Sequence, residues 1–128
     1  MPEKLGAIVV VEDDASSRRA FERMLNAAGF QTEGFASAES LLETDAASRA
    51  ACLVFDVRLP GMSGFELRRE LVRSGSEQPP VIFITAHDDS AARDHAAALG
   101  AAGYLPKPFA GRKLVETVVR VVGKESRS

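Results

Sequence analysis

Short apolar runs alternate along this chain with segments that have helical spacing. The runs at residues 5–11, 52–56 and 81–85 are almost entirely apolar, which is typical of strands buried on both faces. Such strands belong to parallel sheets, and parallel neighbours need a crossover segment between them. The pattern therefore predicts one α/β domain, in which helices cover both faces of a parallel sheet.

The alternation can be divided into five strands and five helices. Predicted strands lie at residues 5–11, 30–35, 52–56, 81–85 and 103–105, and predicted helices at 16–28, 37–44, 63–73, 90–99 and 111–122. Gly29 follows the first helix as a stop signal, and Ser63 and Glu66 have the spacing of a capping box. Residues 123–128 are predicted to be a frayed tail.

Polar side chains follow several of the predicted strands. Glu12 and Asp13 follow the first strand, Asp56 ends the third, Thr85 ends the fourth, and Lys107 follows the fifth. Sites in open α/β sheets form at these carboxyl ends, and a flavodoxin-like order makes the first and third strands neighbours. Two like charges about 4 Å apart repel by roughly 4 kcal/mol at an effective dielectric near 20. Such a cluster needs either a cation or a raised pKa in one of its acids, and oxygen ligands without His or Cys favour a hard ion, Mg²⁺ before Ca²⁺.

These residues together have the composition of a phosphoryl-transfer site. A metal and the Lys107 ammonium can neutralise phosphoryl oxygens, and the Thr85 hydroxyl can donate a hydrogen bond. Asp56 is then the nucleophile that forms an aspartyl phosphate. Taken singly, Thr85 is an ordinary strand residue and Lys107 an ordinary loop lysine, so the interpretation depends on the whole set.

Four motifs in order carry a resemblance to a known family. They are VVVEDD at 9–14, DVRLPGMSG at 56–64, ITA at 84–86 and YLPKPF at 104–109. Over residues 4–122 the chain closely resembles the receiver domain of bacterial two-component response regulators. The resemblance implies a flavodoxin-like, doubly wound (βα)5 fold with strand order 2-1-3-4-5 and helices on both faces. It also implies a cis peptide bond between Lys107 and Pro108.

The resemblance assigns a role to each candidate site residue. It implies that Asp56 accepts a phosphoryl group from a sensor histidine kinase or a phosphotransfer protein, and that Thr85 and Lys107 hold the phosphoryl oxygens. Mg²⁺ is the implied cofactor, and its implied ligands are Glu12, Asp13, Asp56 and the backbone carbonyl of Arg58.

The resemblance also implies how the phosphoryl group is read. Thr85 moves toward it and Tyr104 turns inward, which reshapes the surface of the fourth helix, fifth strand and fifth helix. The implied function is a signalling switch with transcriptional control as an expected output, and a phosphorylation-dependent homodimer is a further expectation. The resemblance implies that such a domain is not an enzyme and catalyses only its own phosphorylation and slow dephosphorylation.

Two bulky residues are expected to face the phosphoryl group. Arg58 and His87 each lie two positions beyond a site residue, Asp56 and Thr85. We expect both side chains to shield the aspartyl phosphate from water and to slow its loss. Two groups of three arginines have helical spacing and are predicted to lie on solvated helix faces. They are Arg18, Arg19 and Arg23, and Arg68, Arg69 and Arg73.

Two alternative functions compete with the switch. An aspartate-nucleophile phosphohydrolase of the haloacid dehalogenase type needs a second aspartate two residues after the nucleophile, where this chain has Arg58. A receiver-like interaction module that has lost phosphorylation would lack an acid, the threonine or the lysine of the site, and all of them are present.

Composition restricts the cellular compartments and the classes of partner that are expected for this chain. A net charge of −2 does not favour a nucleic-acid binder, whose affinity depends on neutralising phosphates. The one cysteine, Cys52, lies in an apolar run and is predicted to be a buried hydrophobe. No apolar stretch is long enough to span a bilayer. We therefore expect a cytoplasmic protein with no membrane contact and no direct nucleic-acid contact.

Overall fold

The fold is described from a computed structural model, which covers residues 6–75 and 77–126, with side chains described up to residue 123. Within these residues, five strands and six helices follow one another, and two successive helices lie between the second and third strands. The strands are β1 Ile8–Val11, β2 Thr32–Phe35, β3 Cys52–Asp56, β4 Val81–Thr85 and β5 Gly103–Pro106. The helices are α1 Ala15–Ala27, α2 Ala38–Leu42, α3 Ala46–Arg49, α4 Gly64–Arg73, α5 Ser90–Ala98 and α6 Gly111–Ser126.

The strands form one parallel sheet in the order β2-β1-β3-β4-β5, as predicted. All residues of β1, β3 and β4 are buried, which explains why their sequences are nearly continuous apolar runs. Alternate strand residues contribute to two cores, one on each face. Phe55 and Phe83 pack on the face covered by α2, α3 and α4, and Val54 and Ile82 on the face covered by α1 and α6.

Local capping interactions set where the site-facing helices begin. The Asp14 carboxylate accepts a hydrogen bond from the Ser17 amide at the start of α1. Ser63 and Glu66 form the predicted capping box at the start of α4. The last turn of α1 is followed by Gly29 at φ 101°, a conformation that favours glycine.

Several predicted boundaries differ from the structure. β1 begins at Ile8 and β2 at Thr32, later than predicted, and residue 5 lies outside the described residues. The short helix α3 was not predicted, because it has only four residues and its N-cap residue, Asp45, makes no side-chain capping hydrogen bond. α6 continues to Ser126 through most of the segment predicted as a frayed tail, and residues 127–128 lie outside the described residues.

Two smaller expectations can also be checked. Cys52 is fully buried, as expected for a structural cysteine. Within residues 6–75 and 77–126, no helix is both long enough and apolar enough to cross a membrane.

Candidate functional site

The sheet brings the predicted site residues together at the carboxyl ends of its strands. Glu12 follows β1 directly, Asp56 is the last residue of β3, and Thr85 is the last residue of β4. Lys107 follows β5, and its amide donates to the Thr85 carbonyl over 2.7 Å. This backbone contact continues the β4–β5 pairing by one residue and places Lys107 above the neighbouring strand ends.

The Lys107 ammonium lies between two buried carboxylates. Nζ is 2.8 Å from Oδ2 of Asp56 and 3.0 Å from Oε1 of Glu12. Burial alone would lower the pKa of Lys107, but its hydrogen bonds to Asp56 and Glu12 outweigh burial and raise the pKa. The ammonium therefore stays charged at neutral pH and offsets the repulsion between the two acids. The peptide bond between Lys107 and Pro108 is cis, as the resemblance implied.

Three carboxylates could hold a metal ion here. One oxygen from each of Glu12, Asp13 and Asp56 lies within 4.8 Å of the others. Asp13 is exposed, whereas Glu12 and Asp56 are buried. Burial raises the pKa of Glu12, although the hydrogen bond from the Asp14 amide opposes the shift. A set of oxygen donors alone suits a hard divalent cation such as Mg²⁺.

The backbone of the loop after β3 also contacts Asp56. The Arg58 amide donates to Oδ1 of Asp56 over 3.0 Å, and the Arg58 side chain is exposed. Just after the neighbouring strand β4, the His87 amide donates to Oγ1 of Thr85 over 3.0 Å. His87 is exposed as well, so both residues that were predicted to shield the site lie at its solvent side.

Tyr104 on β5 belongs to a separate cluster, which forms around Asp88 on the loop after β4. Its hydroxyl donates to Oδ1 of Asp88 over 3.1 Å, and Asp88 also accepts two hydrogen bonds from Arg93. The Arg93 hydrogen bonds hold the pKa of the Asp88 carboxyl below its usual range. We call Asp88, Arg93 and Tyr104 the loop cluster. Sequence reasoning singled out Tyr104 alone, because loop contacts follow no periodic spacing.

The whole chain can now be compared with known proteins. Residues 8–119 match the response regulator receiver domain family. The chain belongs to this family. As a receiver domain, it has a role in phosphorylation-dependent signalling, and the aspartate-nucleophile phosphohydrolase alternative is not supported.

Individual relatives agree with this family assignment. The receiver domain is 37% identical to Nodulation protein W of Bradyrhizobium diazoefficiens over 94% of its length. It is 34% identical to the transcriptional regulatory protein FixJ of Azorhizobium caulinodans over 98% of its length. The response regulator receiver protein structure from Burkholderia phymatum is 40% identical, with a TM-score of 0.78, over 92% of this chain and 95% of that one.

The matched region is only part of the length of each of these two relatives. The chain covers 52% of Nodulation protein W and 59% of FixJ. It thus spans somewhat more than half of each relative.

Two arginines of the receiver domain differ from the predicted solvated positions. Arg18 on α1 is partly buried, and its Nη1 donates to the Glu12 carbonyl over 2.8 Å. Arg68 on α4 is buried, and its Nη1 donates to the Pro79 carbonyl over 2.9 Å. In both cases the guanidinium donates to a backbone carbonyl that lies outside the helices and strands. Helical spacing alone does not reveal such a partner.

Proposed function

We propose that this receiver domain, residues 4–122, is a switch that is phosphorylated on Asp56. The observation that carries the proposal is the Lys107 ammonium, whose Nζ lies 2.8 Å from Asp56 and 3.0 Å from Glu12. A fixed ammonium beside a buried aspartate at the strand ends is the arrangement that a phosphoryl transfer to a carboxylate needs.

The proposed chemical step is a displacement at phosphorus. A carboxylate oxygen of Asp56 attacks the phosphorus and forms an O–P bond, giving the aspartyl phosphate. The bond from phosphorus to the donor breaks, and the donor keeps its electron pair. The donor atom is an imidazole nitrogen in a kinase or a carboxylate oxygen in acetyl phosphate. Lys107 neutralises charge on the transferred oxygens, and the Thr85 hydroxyl donates a hydrogen bond to one of them.

Mg²⁺ is the proposed cofactor. Glu12, Asp13, Asp56 and the Arg58 carbonyl are its proposed ligands, and the cluster of three carboxylates supports the first three. A bound Mg²⁺ supplies positive charge that neutralises the phosphoryl oxygens in the transition state. The chain's own part is to hold these oxygens near one another before the donor arrives.

The proposed output is a change at the surface of α5, β5 and α6. Thr85 and Tyr104 are the proposed switch residues, and their support is that both connect to the loop after β4. The Thr85 hydroxyl accepts from His87, and the Tyr104 hydroxyl donates to Asp88 on the same loop. A shift of Thr85 toward a phosphoryl group would therefore pull on the loop that holds Tyr104.

The proposed partners follow from the family. A sensor histidine kinase or a phosphotransfer protein would supply the phosphoryl group, and the phosphorylated domain would form a homodimer. FixJ is named a transcriptional regulatory protein, which supports transcriptional control as the output of the switch. We propose a cytoplasmic location, no direct contact of this domain with nucleic acid or membrane, and no catalysis beyond its own phosphorylation and dephosphorylation.

Intact mass spectrometry tests the proposal directly. The chain is incubated with Mg²⁺ and acetyl phosphate, and the mass is compared with that of Asp56→Asn and of Asp94→Asn, an exposed aspartate on α5. We expect one phosphoryl adduct in the wild type and in Asp94→Asn, and none in Asp56→Asn or without Mg²⁺. An adduct that persists in Asp56→Asn would overturn the assignment of the nucleophile. No adduct in the wild type would favour the interaction module that has lost phosphorylation.

A further inference from the structure

The loop that follows the proposed phosphoacceptor is closed at its base. Val57 continues from Asp56, its amide donates to the Ile84 carbonyl over 2.8 Å, and its carbonyl accepts from the Gly64 amide over 3.0 Å. A Cβ on Gly64 would lie 2.3 Å from the Asp56 carbonyl oxygen, so the base can close only around glycine. Residues 57–63 therefore form a loop that begins at the end of β3 and closes where Gly64 contacts Val57, and Arg58 lies in its first part.

The outer part of this loop is held from another element. The Met62 amide donates to Oε2 of Glu39 over 3.0 Å, although the two residues are 23 positions apart. Gly61 lies beneath the same carboxylate at φ 74°, and a Cβ at Gly61 would lie 2.7 Å from Oε2. The positive φ favours glycine at Gly61, and a Cβ there would displace the Glu39 carboxylate.

Glu39 is attached to a rigid part of the fold. It lies in the first turn of α2, where its neighbours Ala38 and Leu41 are buried in the core. The hydrogen bond from Met62 lowers the pKa of Glu39, so the carboxylate is charged and accepting at neutral pH. The core-anchored helix α2 thereby holds the tip of a loop whose base carries Asp56.

We infer that Glu39 is a positioning residue for phosphoryl transfer, because it clamps the 57–63 loop and so fixes Arg58 relative to Asp56. This inference rests on the proposed function. Arg58 is the loop residue whose amide donates to Asp56 and whose carbonyl is a proposed Mg²⁺ ligand. Without the hydrogen bond from Met62 to Glu39, the tip of the loop is free to move. The Arg58 carbonyl then occupies its position as a proposed Mg²⁺ ligand in only a fraction of the molecules.

The first test measures the clamp without any chemistry. Amide hydrogen exchange is followed in the wild type, Glu39→Ala, Glu39→Gln and Glu43→Ala, an exposed glutamate just after α2. We expect faster exchange at Met62 in Glu39→Ala, partial protection in Glu39→Gln, whose amide oxygen still accepts, and wild-type exchange in Glu43→Ala. Unchanged exchange at Met62 in Glu39→Ala would overturn the clamp itself.

The second test measures its effect on the site. The Mg²⁺ concentration for half-maximal phosphorylation by acetyl phosphate is compared among the same four proteins. We expect it to rise about tenfold in Glu39→Ala, the low end of effects seen when a partner of a metal ligand is removed. Glu39→Gln should recover most of this loss, and Glu43→Ala should match the wild type.

The outcomes separate the inference from the proposed function. If the wild type takes no phosphoryl group, the proposed function fails, and the exchange result still decides whether the clamp exists. If the wild type is phosphorylated and Glu39→Ala needs no more Mg²⁺ than Glu43→Ala, the positioning role is wrong. Equal thermal unfolding of the four proteins without Mg²⁺ would show that the effect is local to the loop.

Discussion

The Lys107 cluster and the loop cluster lie near the carboxyl end of β4, and both contain charged hydrogen bonds of similar length. In the first, Lys107 lies 2.8 and 3.0 Å from Asp56 and Glu12; in the second, Arg93 lies 2.6 Å from Asp88. Their surroundings differ. The side chains of Glu12 and Asp56 are 2% and 5% exposed, whereas those of Arg93 and Asp88 are 63% and 24% exposed.

This difference in burial determines how easily the contacts of each cluster can be broken. Removing the cation from buried carboxylates leaves uncompensated charge, so contacts around Lys107 are costly to break. Water screens the loop cluster and can replace its contacts, so these are easily exchanged. The comparison indicates that the phosphoacceptor end of the domain is fixed, whereas the surface around Tyr104 can rearrange with little loss of stability.

The largest expected effect comes from removing the Lys107 cation from the two buried carboxylates. In Lys107→Met the two buried acids face each other without an ammonium, and charge on a transferred phosphoryl group loses its partner. We expect phosphorylation by acetyl phosphate to slow by roughly 10²-fold or more, the typical effect of losing one such group. The rate of adduct formation is measured by intact mass, with circular dichroism to verify folding.

A matched exposed pair is the control for this substitution. Arg73 lies 3.6 Å from Glu70 on α4, and its side chain is 76% exposed. Arg73→Met should leave the phosphorylation rate unchanged. If Lys107→Met also stays within twofold of the wild type, the contrast between buried and exposed pairs has no bearing on the chemistry.

A smaller effect is expected from the solvent side of the site. Arg58 and His87 are exposed, and their amides contact Asp56 and Thr85. Replacing both side chains with alanine should open the aspartyl phosphate to water. We expect its loss to speed up about tenfold, which corresponds to ~1.4 kcal/mol in the barrier.

The lifetime of the adduct is timed after removal of the phosphodonor. Arg58→Lys and His87→Gln keep most of the bulk at each position and should stay close to the wild type. An unchanged or longer lifetime in the double alanine variant would contradict the shielding role.

The smallest effect is expected in the loop cluster, and it depends on pH. Because Arg93 depresses the pKa of Asp88 in the folded state, the contact is present above the ordinary value of 3.8 and is lost as pH falls through the depressed value. The chain has one tyrosine and no tryptophan, so its tyrosine emission reports on Tyr104 alone. We expect a small change in emission below pH 3.8.

Asp88→Asn isolates this effect from general acid unfolding. The variant has no carboxylate at this position, so the change in emission that belongs to Asp88 should disappear, whereas Asp94→Asn should keep it. If the wild type and Asp88→Asn titrate alike, Tyr104 is not held by the loop cluster in solution.

Sequence reasoning predicted the buried part of the molecule better than the exposed part. The bounds of β3 and β4 were predicted correctly because both strands are continuous apolar runs. The convergence of Glu12, Asp56, Thr85 and Lys107 followed from strand order, since parallel strands end at one edge of the sheet. Burial imposes a pattern on the sequence, and the pattern is readable for that reason.

Contacts between loops impose no such pattern. The bond from Met62 to Glu39 and the loop cluster depend on the backbone path of turns, which periodicity does not describe. Arg68 was predicted to be solvated, yet it is buried, and its guanidinium donates to the Pro79 and Leu99 carbonyls. Such positions depend on where unpaired backbone groups lie in three dimensions.

The distance along the chain between Lys107 and Glu12 has a consequence for protein synthesis. These two residues are 95 positions apart, so the acids at the end of β1 are made long before the ammonium that holds them. Because domains fold as units while synthesis proceeds from the N-terminus, a nascent chain that ends before β5 carries the phosphoacceptor without its lysine. An unfinished chain on the ribosome therefore lacks the ammonium that lies between Glu12 and Asp56, and the proposed site has all of its residues only once Lys107 has been added.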